Sequence, residues 1–298
     1  MIKSFLMLGQ SNMAGRGFLN EVDPIYNEKI KMLRNGQWQM MTEPINYDRP
    51  VSGVGLAASF ADAWSKAHPD EEIGLIPCAE GGSSLNDWHP EGILFQHALS
   101  EARFALRSSQ ICGILWHQGE SDSYRSLHET YYEKLTLIIE TLRNELKLDE
   151  VPLIIGGLGD FLGKTGFGQH ATEFRQVNEQ LLRFANDQQN CYFVTASGLT
   201  ANPDGIHLDA ASQRKFGYRY FEAFSKKYHI LKPISVEEQS LKVNGDYSKT
   251  EQIYLHSMDL ASGKITYAEF EARMAKVMKH NSLTYPWLAN PKPRSSRL

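Results

Sequence analysis

Five short apolar runs, at residues 4–8, 73–77, 111–117, 153–156 and 191–195, are separated by amphipathic stretches at about 56–67, 93–107, 123–146, 172–186 and 210–228. This alternation constrains the chain more than any other feature. It implies an α/β fold, a parallel sheet with helices on both faces. Asp209 is expected to cap the last of these helices. Ligand chemistry in such sheets gathers beyond the carboxyl ends of the strands. Three polar or glycine-rich segments fall there: Gly9-Gln10-Ser11, Gly81-Gly82 and His117-Gln118-Gly119-Glu120. A length of 298 residues, 42% of them hydrophobic, suits one such domain plus an appendage.

The alternation stops near Pro233. A main domain over 1–232 is therefore expected, followed by a small helical appendage over 233–298 whose last residues, Pro291-Lys292-Pro293-Arg294, read as disordered. Within the appendage, Gly263-Lys264-Ile265 has the look of an EF-hand fragment. With Gly263 at the sixth loop position, Met258 and Leu260 stand where carboxylates belong, which argues against calcium. A net charge of −4 offers no basic excess for nucleic acid. No run approaches the roughly 18 apolar residues of a membrane span. Cys78, Cys112 and Cys191 lack metal-ligand spacing and read as small buried hydrophobes in a reducing compartment. The start of the sequence does not resemble a secretory leader, so the expected location is cytoplasmic.

Ser11 sits at a glycine bend directly behind the run Phe5-Leu6-Met7-Leu8. A serine placed there has its hydroxyl exposed and its N–H free, as a nucleophile requires. A serine hydroxyl reacts only when an imidazole takes its proton, and a carboxylate usually holds that ring in the right tautomer. Asp204-Gly205-Ile206-His207 offers both groups on one turn. Taken alone, Asp204 equally fits a turn residue after Pro203, and His207 a surface histidine.

Four segments change that balance. Gly-Gln-Ser-Asn-Met-Ala-Gly at 9–15, Gly-Gly-Ser-Ser-Leu-Asn-Asp-Trp at 81–88, Trp-His-Gln-Gly-Glu-Ser-Asp at 116–122 and Asp-Gly-Ile-His-Leu at 204–208 stand in that order. Together they resemble the ordered blocks of the SGNH hydrolase superfamily, and within it the carbohydrate acetylesterase branch of acetylxylan esterases and sialate O-acetylesterases. The resemblance implies a three-layer sandwich over roughly residues 1–230, flavodoxin-like in outline. It implies Ser11 as nucleophile, His207 as general base and then acid, and Asp204 as the orienting carboxylate. It places the oxyanion hole at the N–H groups of Ser11 and Gly82 and the side-chain amide of Gln118. The implied activity is removal of O-acetyl groups from a mono- or oligosaccharide through an acetyl-enzyme, with no cofactor and no metal.

Other residues stay open between two roles. Asn12 fits a turn-holding role better than a substrate contact. Glu120 reads as a second carboxylate near His207 or as a partner for His117 or Arg125. Trp88 and His89 fit a wall for the acetyl group or sugar, or plain packing. The glycine-rich stretch from Gly156 to Gly168 reads as a substrate loop or an exposed connector.

Rival motifs fail on single positions. Leu162-Gly163-Lys164-Thr165 ends like a phosphate loop, but Leu158 stands where its first glycine belongs, and Gly53-Val54-Gly55 follows no apolar strand. Met13 replaces the second glycine of the Gly-x-Ser-x-Gly elbow. Two alternatives remain: a sugar-binding protein of the same fold with weak catalysis, and an esterase for longer acyl chains.

Overall fold

A computed structural model describes residues 1–235, 237–238 and 246–278. It divides into two units, Met1–Val243 and Asn244–Leu298. The strands of the first unit are β1 (Ile2–Gly9), β2 (Ile30–Arg34), β3 (Gln37–Met40), β4 (Ile73–Pro77), β5 (Ser109–His117), β6 (Leu153–Gly156) and β7 (Cys191–Val194). They form one sheet in the order β3-β2-β4-β1-β5-β6-β7, parallel except for β3. The helices are α1 (Ser11–Ala14), α2 (Leu56–Ala67), α3 (Ile93–Ala105), α4 (Tyr131–Leu146), α5 (Phe174–Asp187) and α6 (Ala210–Lys226).

Successive side chains of a strand point to opposite faces, and β1 divides its residues accordingly. Leu6 and Leu8 join a core with α3, α4 and α5, while Phe5 and Met7 join a second core with α2 and α6. The fold is thus the expected α/β sandwich, with helices on both sides of the sheet. The strand order reverses at β1, because β2 and β4 lie on one side of it and β5, β6 and β7 on the other. A reversal of this kind opens a crevice at the carboxyl ends of the central strands.

The expected strands and helices all form, and Asp209 caps α6 by accepting the Ser212 N–H at 2.7 Å. Two differences have plain causes. The hairpin of β2 and β3 was not among the expected strands, although Asn35-Gly36 carries its signal. Both residues have positive φ, +52° and +71°, as a two-residue hairpin turn requires. The helix expected from residue 123 starts only at Tyr131, because Arg125 and Ser126 have left-handed φ of +55° and +57° and interrupt it.

Three buried ion pairs fasten the loops. Arg16 grips Asp48 with two bonds of 2.6 and 3.1 Å. Arg219 grips Glu237 at 2.6 and 2.8 Å. Arg214 grips both carboxylate oxygens of Glu43. Cys78 and Cys191 are buried free thiols, and burial pushes the Cys191 thiol up to about 12.

The second unit holds α7 (Lys249–Ala261) and α8 (Tyr267–Met278). Ser248 and Glu251 form a capping box at the start of α7, and Thr266 with Glu269 does the same for α8. The helices are joined by a short turn at Gly263, too short for a calcium loop. The expected disorder near the end of the chain concerns positions outside the described residues. No helix among the described residues is long and apolar enough to cross a membrane.

Removing one partner of a buried pair strands the other charge. Glu43→Ala is expected to lower the unfolding free energy by roughly 3–5 kcal/mol, read from urea denaturation. An unchanged midpoint would show that Arg214 finds water or another acceptor.

Candidate active site

The bend after β1 depends on Gly9. Its φ is +129°, and a Cβ there would lie 2.0 Å from the His117 carbonyl oxygen. Only glycine fits so close to β5, where Gly9 stands opposite His117 in the ladder. Gln10 N–H then bonds His117 O at 2.9 Å, and Ser11 opens the four-residue α1. No acceptor among the described residues takes the Ser11 N–H. One helical turn carries little macrodipole, so this free N–H matters more than the helix behind it.

Asp204 and His207 lie on a small hairpin closed by the Ala201–Leu208 bridge and by Asn202 N–H to His207 O at 2.7 Å. Asp204 Oδ2 meets His207 Nδ1 at 2.7 Å, while its Oδ1 accepts the N–H groups of Ile206 and His207, each at 3.0 Å. Burial pushes the Asp204 carboxyl up. The two N–H bonds and the imidazole outweigh it and hold Asp204 below the usual carboxylate range. A carboxylate can only accept, so Nδ1 carries a proton, which makes Nε2 the acceptor of the neutral ring.

Asn12 fastens this hairpin to the serine bend. Its Oδ1 accepts the Leu208 N–H at 2.9 Å, and its Nδ2 donates to Ile206 O at 3.1 Å. The side chain beside Ser11 therefore grips the backbone on both sides of His207. Gln213 Nε2 donates to Asn12 O at 3.1 Å, and Asn202 Nδ2 to Arg16 O at 2.8 Å, securing the same junction. Glu120 Oε1 in turn accepts from Asn12 Nδ2 at 2.5 Å. The segment of Ser11 and the loop of His207 are thereby tied through Asn12, although no direct hydrogen bond joins Oγ to Nε2 among the described residues. Unliganded sites often hold such pairs apart until substrate binds.

Gly82 lies two residues beyond Glu80, whose N–H donates to Gly9 O at 3.0 Å. It is exposed, its N–H has no acceptor among the described residues, and nothing lies within 4 Å of where its Cβ would stand. Its position comes from Asp48, which accepts the Gly81 N–H at 2.8 Å while paired with buried Arg16. No sequence motif marked Asp48 or Arg16.

Gln118 requires a correction. It is fully buried, and its Nε2 faces Asp122 Oδ2 at 2.6 Å, Ser83 O at 3.1 Å and Gln10 Oε1 at 3.2 Å. Two amide hydrogens already serve three acceptors, so none is left for an oxyanion. Gln118 instead ties Ser83, next to Gly82, to the end of β5. Burial pushes the Asp122 carboxyl up, against the bonds from Gln118 and the Leu85 N–H.

Trp88 also differs from a substrate wall. It is fully buried, packs edge-on against Trp116 at 5.6 Å and donates to Ser83 Oγ at 2.9 Å. His89 is exposed, with its Nδ1 accepting the Glu91 N–H at 3.3 Å. Glu120 is buried, 3.8 Å from His117 Nδ1. Burial lowers the His117 pKa and keeps that ring neutral, so the two do not form a charge pair.

Clefts of about 520 and 530 Å³ adjoin the site. The first runs along Glu120, Ser121 and Ile206, and the second along Gly81, Gly82 and Ser83.

Two measurements follow from this geometry. Asn12→Ala releases the hairpin, and misplacing a reacting group by about 1 Å costs on the order of 100-fold. Labelling of Ser11 by a fluorophosphonate should slow by that factor, and an unchanged rate would mean that something else holds His207. Because the Asp204 pKa lies below its unfolded value, its contribution to stability is present above about pH 4 and is lost as the pH falls further. Asp204→Asn should flatten that acid-side loss in thermal melts; an equally steep decline in the variant would trace it to other carboxylates.

Known proteins share this fold and family. The family model described as carbohydrate esterase, sialic acid-specific acetylesterase matches residues 2–226. A probable carbohydrate esterase of Arabidopsis thaliana is 27% identical over 250 residues, covering 75% of this chain and 90% of that one. The crystal structure of that plant protein superposes with a TM-score of 0.69 over 75% of this chain and 98% of its own. NanS shares the fold at 20% identity and a TM-score of 0.64, over 76% of this chain and 97% of its own. A carbohydrate acetylesterase from Xanthomonas citri does so at 17% and 0.55, over 74% and 55%. With three quarters of its length matched by the family model, the chain belongs to the carbohydrate esterase, sialic acid-specific acetylesterase family.

Proposed function

We propose that this carboxylic ester hydrolase removes O-acetyl groups from a carbohydrate by serine catalysis. The observation that carries the reading is the grip of Asn12 on both neighbours of His207, which ties the loop of the Asp204-bonded imidazole to the residue after Ser11. In the forward step His207 Nε2 takes the Ser11 proton as Oγ attacks the acetyl carbonyl carbon. The carbonyl oxygen becomes an oxyanion, which the N–H groups of Ser11 and Gly82 receive. Donors of this kind are worth roughly 3 kcal/mol each where they have been removed from other enzymes.

The tetrahedral species collapses as the C–O bond to the sugar breaks and His207 protonates the leaving oxygen. An acetyl group remains on Ser11. Water, deprotonated by His207, then attacks it and releases acetate. Asp204 keeps the ring in one tautomer and stabilises the imidazolium formed in each half. Unspent N–H groups at Ser11 and Gly82 favour a reacting centre over a sugar-binding site without chemistry. The acetylated carbohydrate fits the family to which the chain belongs.

Hydrolysis of p-nitrophenyl acetate tests the reading. Ser11→Ala should reduce the rate to background. Asp204→Asn presents a donor to Nδ1, forces the wrong tautomer and should lower kcat by about 10³–10⁴. A Ser11→Ala protein as fast as the unmodified one would remove Ser11 from the mechanism.

A further inference from the structure

Chemistry fixes where the leaving alcohol must lie. The imidazole that takes the serine proton later gives one to the alcohol oxygen, so the alcohol sits toward His207 and away from the Gly82 N–H. The cleft of about 520 Å³ meets this demand: Ile206, the residue before His207, and Glu120, bound to Asn12, both line it. Its size falls within the roughly 300–1,000 Å³ of small-molecule sites.

Two aromatic side chains complete its walls. Tyr124 is 36% exposed and Phe167 is 77% exposed. Phe167 is held firmly despite its exposure. Its N–H donates to Asp204 O at 2.8 Å. A Cβ on Gly166 would stand 2.1 Å from Asp204 O, and one on Gly168 would stand 1.9 Å from Gly205 O. The two glycines let this segment lie directly on the Asp204–His207 hairpin, and the side chain carried between them is a bare ring facing water. The Arg125 guanidinium lies over the Tyr124 ring, 5.4 Å from its centre, and brings N–H donors to the same cleft.

We propose that Phe167 is the sugar platform of the leaving-alcohol subsite. The apolar C–H face of an O-acetylated pyranoside rests on the Phe167 ring, and the sugar hydroxyls meet Arg125. The substrate class is an acetylated pyranose ring rather than an open-chain ester, a conclusion that rests on the esterase reading above. The glycine-rich stretch, which the sequence leaves open between a substrate loop and an exposed connector, thereby takes the first role.

The test compares kcat/KM for a mono-acetylated methyl pyranoside with that for ethyl acetate, following acid release. Ethyl acetate has the same acyl group and no ring to stack. In Phe167→Ala the ratio of sugar ester to ethyl acetate should fall roughly tenfold, mostly through KM, as expected for loss of one aromatic contact. Phe167→Trp keeps an aromatic face and should hold the ratio within about threefold of the starting protein. The exposed ring makes little contribution to folding, so both variants should fold. A ratio that does not change in Phe167→Ala overturns the platform while leaving the esterase reading intact. An unmodified protein that hydrolyses neither ester overturns the esterase reading and the subsite with it.

Discussion

The geometry of this site depends on the amide of Asn12. Ser11 and His207 lie far apart in the chain, and the Asn12 side chain ties their two segments together. Its carbonyl oxygen and its amide nitrogen bind on either side of His207, so the loop is fixed in position and in rotation. Fixed orientation is what converts a weak hydroxyl and a neutral ring into a reacting pair. Glu120 secures the amide from below, which explains why a carboxylate tolerates burial there.

The oxyanion side follows the same logic with different parts. Gly82 accepts from Ser121 Oγ at 3.1 Å through its carbonyl, and its N–H has no acceptor among the described residues. Its place is set by Asp48 through Gly81 and by Gln118 through Ser83. Asp48 can do this only because Arg16 neutralises it, and Arg16 lies five residues beyond Ser11. The proposed nucleophile, base and oxyanion donors are thus all referenced to one short segment, residues 9–16, at the point where the strand order reverses.

Much of the fold was legible because burial imposes periodicity. The central strands read as apolar runs, and the amphipathic helices showed their core faces. The β2–β3 hairpin was legible too, in Asn35-Gly36, but edge strands of mixed polarity such as Gln37–Met40 carry weak patterns. Of the proposed site, the serine, the histidine hairpin and the glycine turn stood out in the sequence because the chemistry proposed for them restricts residue type. The role of Gln118 was not visible: an amide that donates to an oxyanion and one that donates to Ser83 are the same residue in a sequence. Asp48 and Glu43 were hidden for a related reason. Their partners, Arg16 and Arg214, are identified only once the chain is folded. Phe167 stood in a stretch whose glycines mimic a flexible connector, whereas they permit close packing on the catalytic hairpin.

The central claim is that Ser11 and His207 act as one unit, and a double-substitution cycle measures this directly. Groups that share a single proton transfer lose their effect together, so removing both costs about as much as removing either one. The account predicts that Ser11→Ala, His207→Ala and the combined variant have nearly equal kcat/KM on an acetyl ester. Losses that multiply in the combined variant would mean that the two side chains work independently, and would contradict it.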